Sequence, residues 1–250
     1  MVKVYKFPIN KSEIQSLPDE DRRILLLGGH ALNQIGMWFR LITISTNEDG
    51  GHPVSEHLRA SQTHMLLRSL YSCLHETWIW LKKDATKKHL EGLYLPKCSP
   101  EAVAAYDSIR EIFDGSSHFG KIRNQYSSHF PNRQQIETAF NYASEQEDWS
   151  WYMCNELTNS FWGSSEVVIG YGAIELAGKE NAEAGLKYVI SQAMEISNNF
   201  QDFITEVLRL IWSGHSEFEK NPEIYEIPEC PSGQSFELPF LFEPPFGSSP

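Results

Sequence analysis

Cysteine is scarce and scattered: Cys73, Cys98, Cys154 and Cys230 are the only four, and no C-x-x-C pair occurs among them. That spacing argues against a zinc ribbon or a disulfide framework and predicts reduced, mostly buried thiols. Long apolar runs are also missing, since none approaches the roughly 18 residues of a membrane helix. The opening MVKVYKFPINKSE has no apolar stretch of the signal-peptide kind. A cytoplasmic protein without membrane contact is expected. Positive charge is in short supply, with 21 Lys and Arg against 33 Asp and Glu, a formal net charge of −12. Such a chain does not coat nucleic acid by bulk electrostatics, although one local basic cleft remains open to it. Also absent are a G-x-S-x-G elbow, a P-loop, a dinucleotide fingerprint and an H-E-x-x-H pair. No cofactor and no metal are expected. His57 and His64 lie seven apart on one predicted helix face, but without further ligands they read as surface or packed side chains.

What remains is the composition of an ordinary globular protein, 250 residues long, 41% hydrophobic and 22% charged, with material for a sizeable core. Val2, Val4, Tyr5 and Phe7 suggest a short extended start. Pro18 followed by Asp19 and Glu20 marks a helix beginning, and apolar residues then recur at three- and four-residue steps to about Ile44. Residues 47–53 are a loop by composition. A second helix is predicted over Ser55–Lys83, then a connection from Lys87 to Ser99, and a third helix from Pro100 to Phe113. Residues 114–117 break it. Asn132 can cap a helix carrying Ile136, Phe140 and Tyr142. Strand formers crowd residues 149–174 around Gly163-Ser164-Ser165, which predicts an inserted β-hairpin whose aromatics either pack on the helices or stack on RNA bases. The clearest helix runs from Asn181 to about Ile211. Seven prolines after Gly214 predict an extended tail over 218–250, docked on the body or on a partner. The fold class is mainly α.

Between the third helix and Asn132 stands GKIRNQYSSHFP, residues 120–131. It places a fixed cation (Arg123), an amide (Asn124) and a titratable imidazole (His129) within seven positions. Guanidinium presents a planar fork of donors matched to phosphate oxygens. Imidazole moves protons near neutral pH, its ordinary pKa being about 6.5. On a straight helix, however, a six-residue offset leaves Arg123 and His129 about 120° apart and about 9 Å along the axis. A two-fold dimer that brings two copies of the segment together resolves this.

The R-N-x-x-x-x-H spacing in a mainly helical chain resembles the signature of the HEPN superfamily, and within it the abortive-infection and toxin branch. The resemblance covers about residues 19 to 215. It implies an up-and-down helical bundle over residues 1–217, the hairpin being an embellishment. The resemblance further implies a homodimer with a composite site and metal-independent cleavage of RNA. One His129 would take the 2′-hydroxyl proton, and the leaving 5′-oxygen would be protonated by the other chain's His129 or by water. Arg123 would hold the phosphate and Asn124 would orient substrate or imidazole. The product would be a 2′,3′-cyclic phosphate, and DNA would be spared. Lys121, Tyr126, Ser127, Ser128 and Arg133 are candidates for RNA contacts. An antitoxin or regulatory partner would restrain the enzyme. Two other readings stay open: a non-catalytic HEPN module binding RNA, nucleotide or protein, and a structural helical protein in which Arg123 pairs with an acid and His129 packs near Pro131.

Overall fold

A computed structural model describes residues 2–46, 53–114, 118–153, 160–215 and 221–227. The first strand, β1 (Val2–Lys6), leads to α1 (Lys11–Ser16), which is held by a reciprocal cap. The Asn10 side chain accepts from the Glu13 amide while Glu13 accepts from the Asn10 amide. Ile14 and Leu17 alone carry no period, so α1 is not legible in the apolar pattern.

α2 (Asp19–Ser45) begins at the predicted Pro18, with Asp19, Glu20 and Asp21 in its first turn. Its buried stripe of Ile24, Ala31, Ile35 and Ile42 faces α3 (Pro53–Leu81) and α9 (Ala182–Ser213). α9 starts at Asn181, whose side chain accepts from the Ala184 amide, and it buries Ala193, Ile196, Phe200, Ile204, Val207 and Ile211 on one face. α5 (Pro100–Asp114) opens on the Ser99 hydroxyl, which accepts from the Ala102 amide, and lies along α9. Aromatic rings fill the space between: Tyr71 stacks on Phe119 with centroids 4.3 Å apart, and Tyr106 meets Phe203 at 4.8 Å. The predicted loop residues 47–52 and helix-break residues 115–117 lie outside the described residues.

The predicted connection after α3 is instead ordered as α4 (Asp84–His89), a π-helical turn Leu90–Tyr94 and a 3₁₀ turn Leu95–Lys97. Asp21 organises it. This carboxylate is buried on α2 and accepts from the Tyr94 hydroxyl at 2.6 Å, with His89 Nε2 also at 2.6 Å. A buried charge requires such partners, and they draw the segment onto the bundle.

The inserted hairpin is present but shorter than expected. β2 (Trp151–Tyr152) pairs antiparallel with β3 (Phe161–Trp162), and residues 154–159 between them lie outside the described residues. From Gly163 the chain is helical, not strand: α8 (Gly163–Glu175) takes up Val167, Val168, Ile169 and Tyr171. α8 touches α3, α9 and α7 (Arg133–Tyr142), so apolar residues occupy most of its circumference. Such a run does not reveal its period, and β-branched content alone favours the wrong answer. α7 itself carries the predicted Asn132 cap, closed reciprocally by Gln135.

Within the Pro-rich region β4 (Glu223–Ile227) is extended and pairs antiparallel with β1, Val2 opposite Ile227 and Lys6 opposite Glu223. Residues 228–250 lie outside the described residues. No described helix is long and apolar enough to cross a membrane.

Candidate functional site

The motif does not lie on a straight helix. α6 (His118–Ile122) runs into a π-helical turn over Arg123–Ser127, closed by the Ser128 amide donating to the Arg123 carbonyl at 2.9 Å. A bond reaching back five residues widens the turn, and such turns recur at functional sites. The chain then bends at Ser128 and His129 and leaves the helical path. The straight-helix separation of Arg123 and His129 therefore does not apply. Among the described residues no hydrogen bond or ion pair joins the two side chains.

Hydroxyl groups pin the wide turn to α3. Ser127 donates to the Arg68 carbonyl at 2.9 Å, and Ser72 donates to Ser127 at 2.9 Å. With the Ser72 proton so used, Ser128 donates to Ser72 across 3.1 Å. Tyr126 turns inward, 5% exposed, and donates to the Gln135 carbonyl of α7. Its ring lies against Gly172 of α8, where a Cβ would stand 2.4 Å from the ring carbons. Of the predicted RNA contacts, Tyr126 is thus a buried support and Ser127 is occupied by the scaffold. Lys121, Ser128 and Arg133 are exposed.

This packing carries a prediction whose sign is diagnostic. Gly→Ala inside a helix ordinarily stabilises by about 0.5–1 kcal/mol. At Gly172 the new methyl has no room, so Gly172→Ala is expected to destabilise by about 1–3 kcal/mol in urea unfolding. A stabilised variant would show that the ring of Tyr126 is free to move.

Arg123 is only 26% exposed at its side chain, and both ends of its fork are engaged. Nη1 donates to Asn124 Oδ1 at 2.8 Å, and Nη2 donates to Glu76 Oε1 at 2.5 Å. The expectation that Arg123 could pair with an acid is met by this residue of α3. Beside it on α3, His75 lies against the motif, with a Cβ on Gly120 placed 3.1 Å from His75 Nε2. Burial first, and then the Arg123 charge, depress the pKa of His75, with Glu76 opposing. His129 is exposed and is followed by Phe130, whose side chain is 99% exposed. Glu76 and His75 were missed by sequence reasoning. The only available signal was the need of Arg123 for a counter-ion, which names no position.

The other sequence candidates resolve into structure. His57 and His64 lie against Gly163 and Gly170 of α8, the same seven-residue step on each helix. Their spacing thus matches a packing register. Burial, and then Arg68, push the pKa of His64 down to about 4. Arg22 pairs with Asp19, and Arg23 with Glu20. The Cys73 thiol is buried and pushed up to about 11, and Cys98 is a half-buried free thiol. Cys154 and Cys230 lie outside the described residues. In the hairpin, Phe161 is buried near His57, while Trp151 and Trp162 face outward, 60% and 50% exposed, with centroids 4.9 Å apart.

What this arrangement offers chemically is a preoriented guanidinium–amide pair on a rigid turn, with an exposed imidazole on the bend that follows. No family model matches the chain, and no curated protein or solved structure matches it.

Proposed function

We propose that this chain is a metal-independent endoribonuclease of the HEPN kind, acting in a toxin–antitoxin or abortive-infection system. The observation that carries the reading is the coupling of Arg123 to Asn124 on a turn locked by Ser72, Ser127 and Tyr126, with His129 exposed just beyond it. Arg123 binds the scissile phosphate and stabilises the charge that develops on it. His129 removes the 2′-hydroxyl proton, that oxygen attacks the phosphorus, and the bond to the 5′-oxygen breaks as it gains a proton from His129 of a second copy or from water. The products are a 2′,3′-cyclic phosphate and a 5′-hydroxyl. A homodimer completes the site, since nothing within one described chain ties His129 to Arg123. Lys121, Ser128 and Arg133 add contacts to the RNA backbone, and the Trp151–Trp162 pair offers faces for base stacking. An antitoxin or regulatory protein holds the activity in check.

A second reading is a non-catalytic HEPN module that binds RNA, nucleotide or a protein partner. It is favoured by the Glu76 carboxylate already seated on Arg123.

The test is incubation of the purified protein with RNA in EDTA, followed by analysis of the product ends. Cleavage to 2′,3′-cyclic phosphates, with a strand carrying 2′-deoxy sugars left whole, is the expected result. Intact RNA in the presence of a folded dimer would transfer the assignment to the binding module.

A further inference from the structure

The groups around Arg123 describe more than a cation waiting for phosphate. A carboxylate oxygen of Glu76 receives Nη2 at 2.5 Å while Asn124 receives Nη1, so both ends of the fork are already used. Arg123 Nε is buried and has no partner, which leaves the outward edge of the guanidinium as the way in for a ligand. A carboxylate and a phosphate present the same kind of paired oxygens to guanidinium. One anion therefore excludes the other.

We infer that Glu76 is a built-in competitor that occupies the oxyanion position on Arg123 and must swing out before an RNA phosphate can bind. This inference rests on the reading of Arg123 as the phosphate-binding group. The two partners differ in their freedom. Arg123 is anchored on the pinned turn, whereas the Glu76 side chain is 53% exposed and stands five residues before the end of α3. A half-exposed pair of this kind is weak and opens readily, so the latch sets a threshold on affinity and does not block the site. It discriminates by charge. A polyanion that brings several phosphates displaces one carboxylate, while a lone carboxylate or a single phosphate gains little over Glu76. Lys121 and Arg133 would add to that preference for a chain of phosphates. After displacement the freed carboxylate repels the phosphate next to it, which favours release of product.

The experiment is binding, not cleavage. Full-length protein is titrated with a short single-stranded RNA that is 2′-O-methylated throughout and cannot undergo 2′-hydroxyl attack. Glu76→Gln keeps the size and removes the charge at an exposed position, and its thermal unfolding is compared with the unaltered protein. At low ionic strength Glu76→Gln is expected to tighten binding by about three- to tenfold. The gain shrinks as salt is added. In an Arg123→Gln background the same change is expected to have no effect. Equal or weaker binding by Glu76→Gln would overturn the proposal, since Glu76 would then be idle or would serve to orient Arg123. A gain that persists without Arg123 would overturn it too, as a general charge effect. Absence of binding by both forms would end it as well. Tightened binding by a protein that never cuts ordinary RNA upholds the latch and sinks the nuclease; cutting with unchanged binding does the reverse.

Discussion

His129→Ala is expected to lower RNA cleavage by about 10²–10⁴-fold, the usual contribution of a positioned general acid–base group. The fold should survive, because His129 is exposed on a bend and no described residue bonds to it. Thermal unfolding should therefore match that of the unaltered protein, which separates loss of chemistry from loss of structure. If Arg123 holds the phosphate as proposed, Arg123→Ala is expected to remove phosphate binding and transition-state charge stabilisation together. Combining the two changes should cost much less than the product of the single losses, because groups acting as one unit are not additive. Mixing the two single variants probes the composite site. If each site draws Arg123 from one copy and His129 from the other, mixed dimers rebuild one intact site and recover part of the activity. Full activity of His129→Ala alone would remove the catalytic assignment.

The second large effect concerns acid. His64 is half-buried between α3 and α8 and His118 is buried, and desolvation pushes each pKa down to about 4. The hydrogen bonds around His118 fix which ring nitrogen carries its proton. Tyr71 donates its hydroxyl proton to the Val189 carbonyl at 2.9 Å, so His118 Nε2 must donate to Tyr71 across 3.2 Å. In the unfolded chain the same imidazoles take up a proton near pH 6.5. Between those values the unfolded state binds more protons than the native one, so stability falls as pH falls. The loss begins near pH 6.5 and is complete below about 4, reaching on the order of 3 kcal/mol for each ring. Two such rings together are a large share of the stability of an ordinary domain. The unfolding temperature is thus expected to drop steeply across this window, and less steeply in His64→Gln and His118→Gln. A flat profile from pH 6.5 to 4.5 would contradict the placing of both rings as neutral species.

The long helices were legible because their apolar spacing and caps agree. Asn132 and Asn181 cap the helices they precede, and Pro100 opens α5 behind Ser99. Legibility failed where tertiary contact decides. α8 is apolar on most sides because three helices surround it, so its Val167-Val168-Ile169 run imitates a strand. α4 and the turns after it follow from buried Asp21, whose need for Tyr94 and His89 leaves no mark on local pattern. At the site, the three motif residues could be read from spacing alone. The π-helical turn beneath them could not, because it depends on Ser72, Arg68 and Gly172, drawn from two other helices. Glu76 is hidden for the same reason, standing 47 positions from the arginine it holds.

The pairing of β1 with β4 has a consequence for rearranging this molecule. Val2 faces Ile227 across one rung of the ladder, so two points 225 positions apart along the chain are neighbours in space. A circular permutant that omits residues 228–250 and joins 227 to 2 through a tight hairpin turn keeps the register of this ladder. New termini could then be opened within residues 47–52, between α2 and α3, far along the sequence from Arg123 and His129. In that permutant β4 and β1 become consecutive, so the ladder no longer has to close a loop spanning the whole bundle. Refolding should then be faster in the permutant wherever forming this ladder limits the rate.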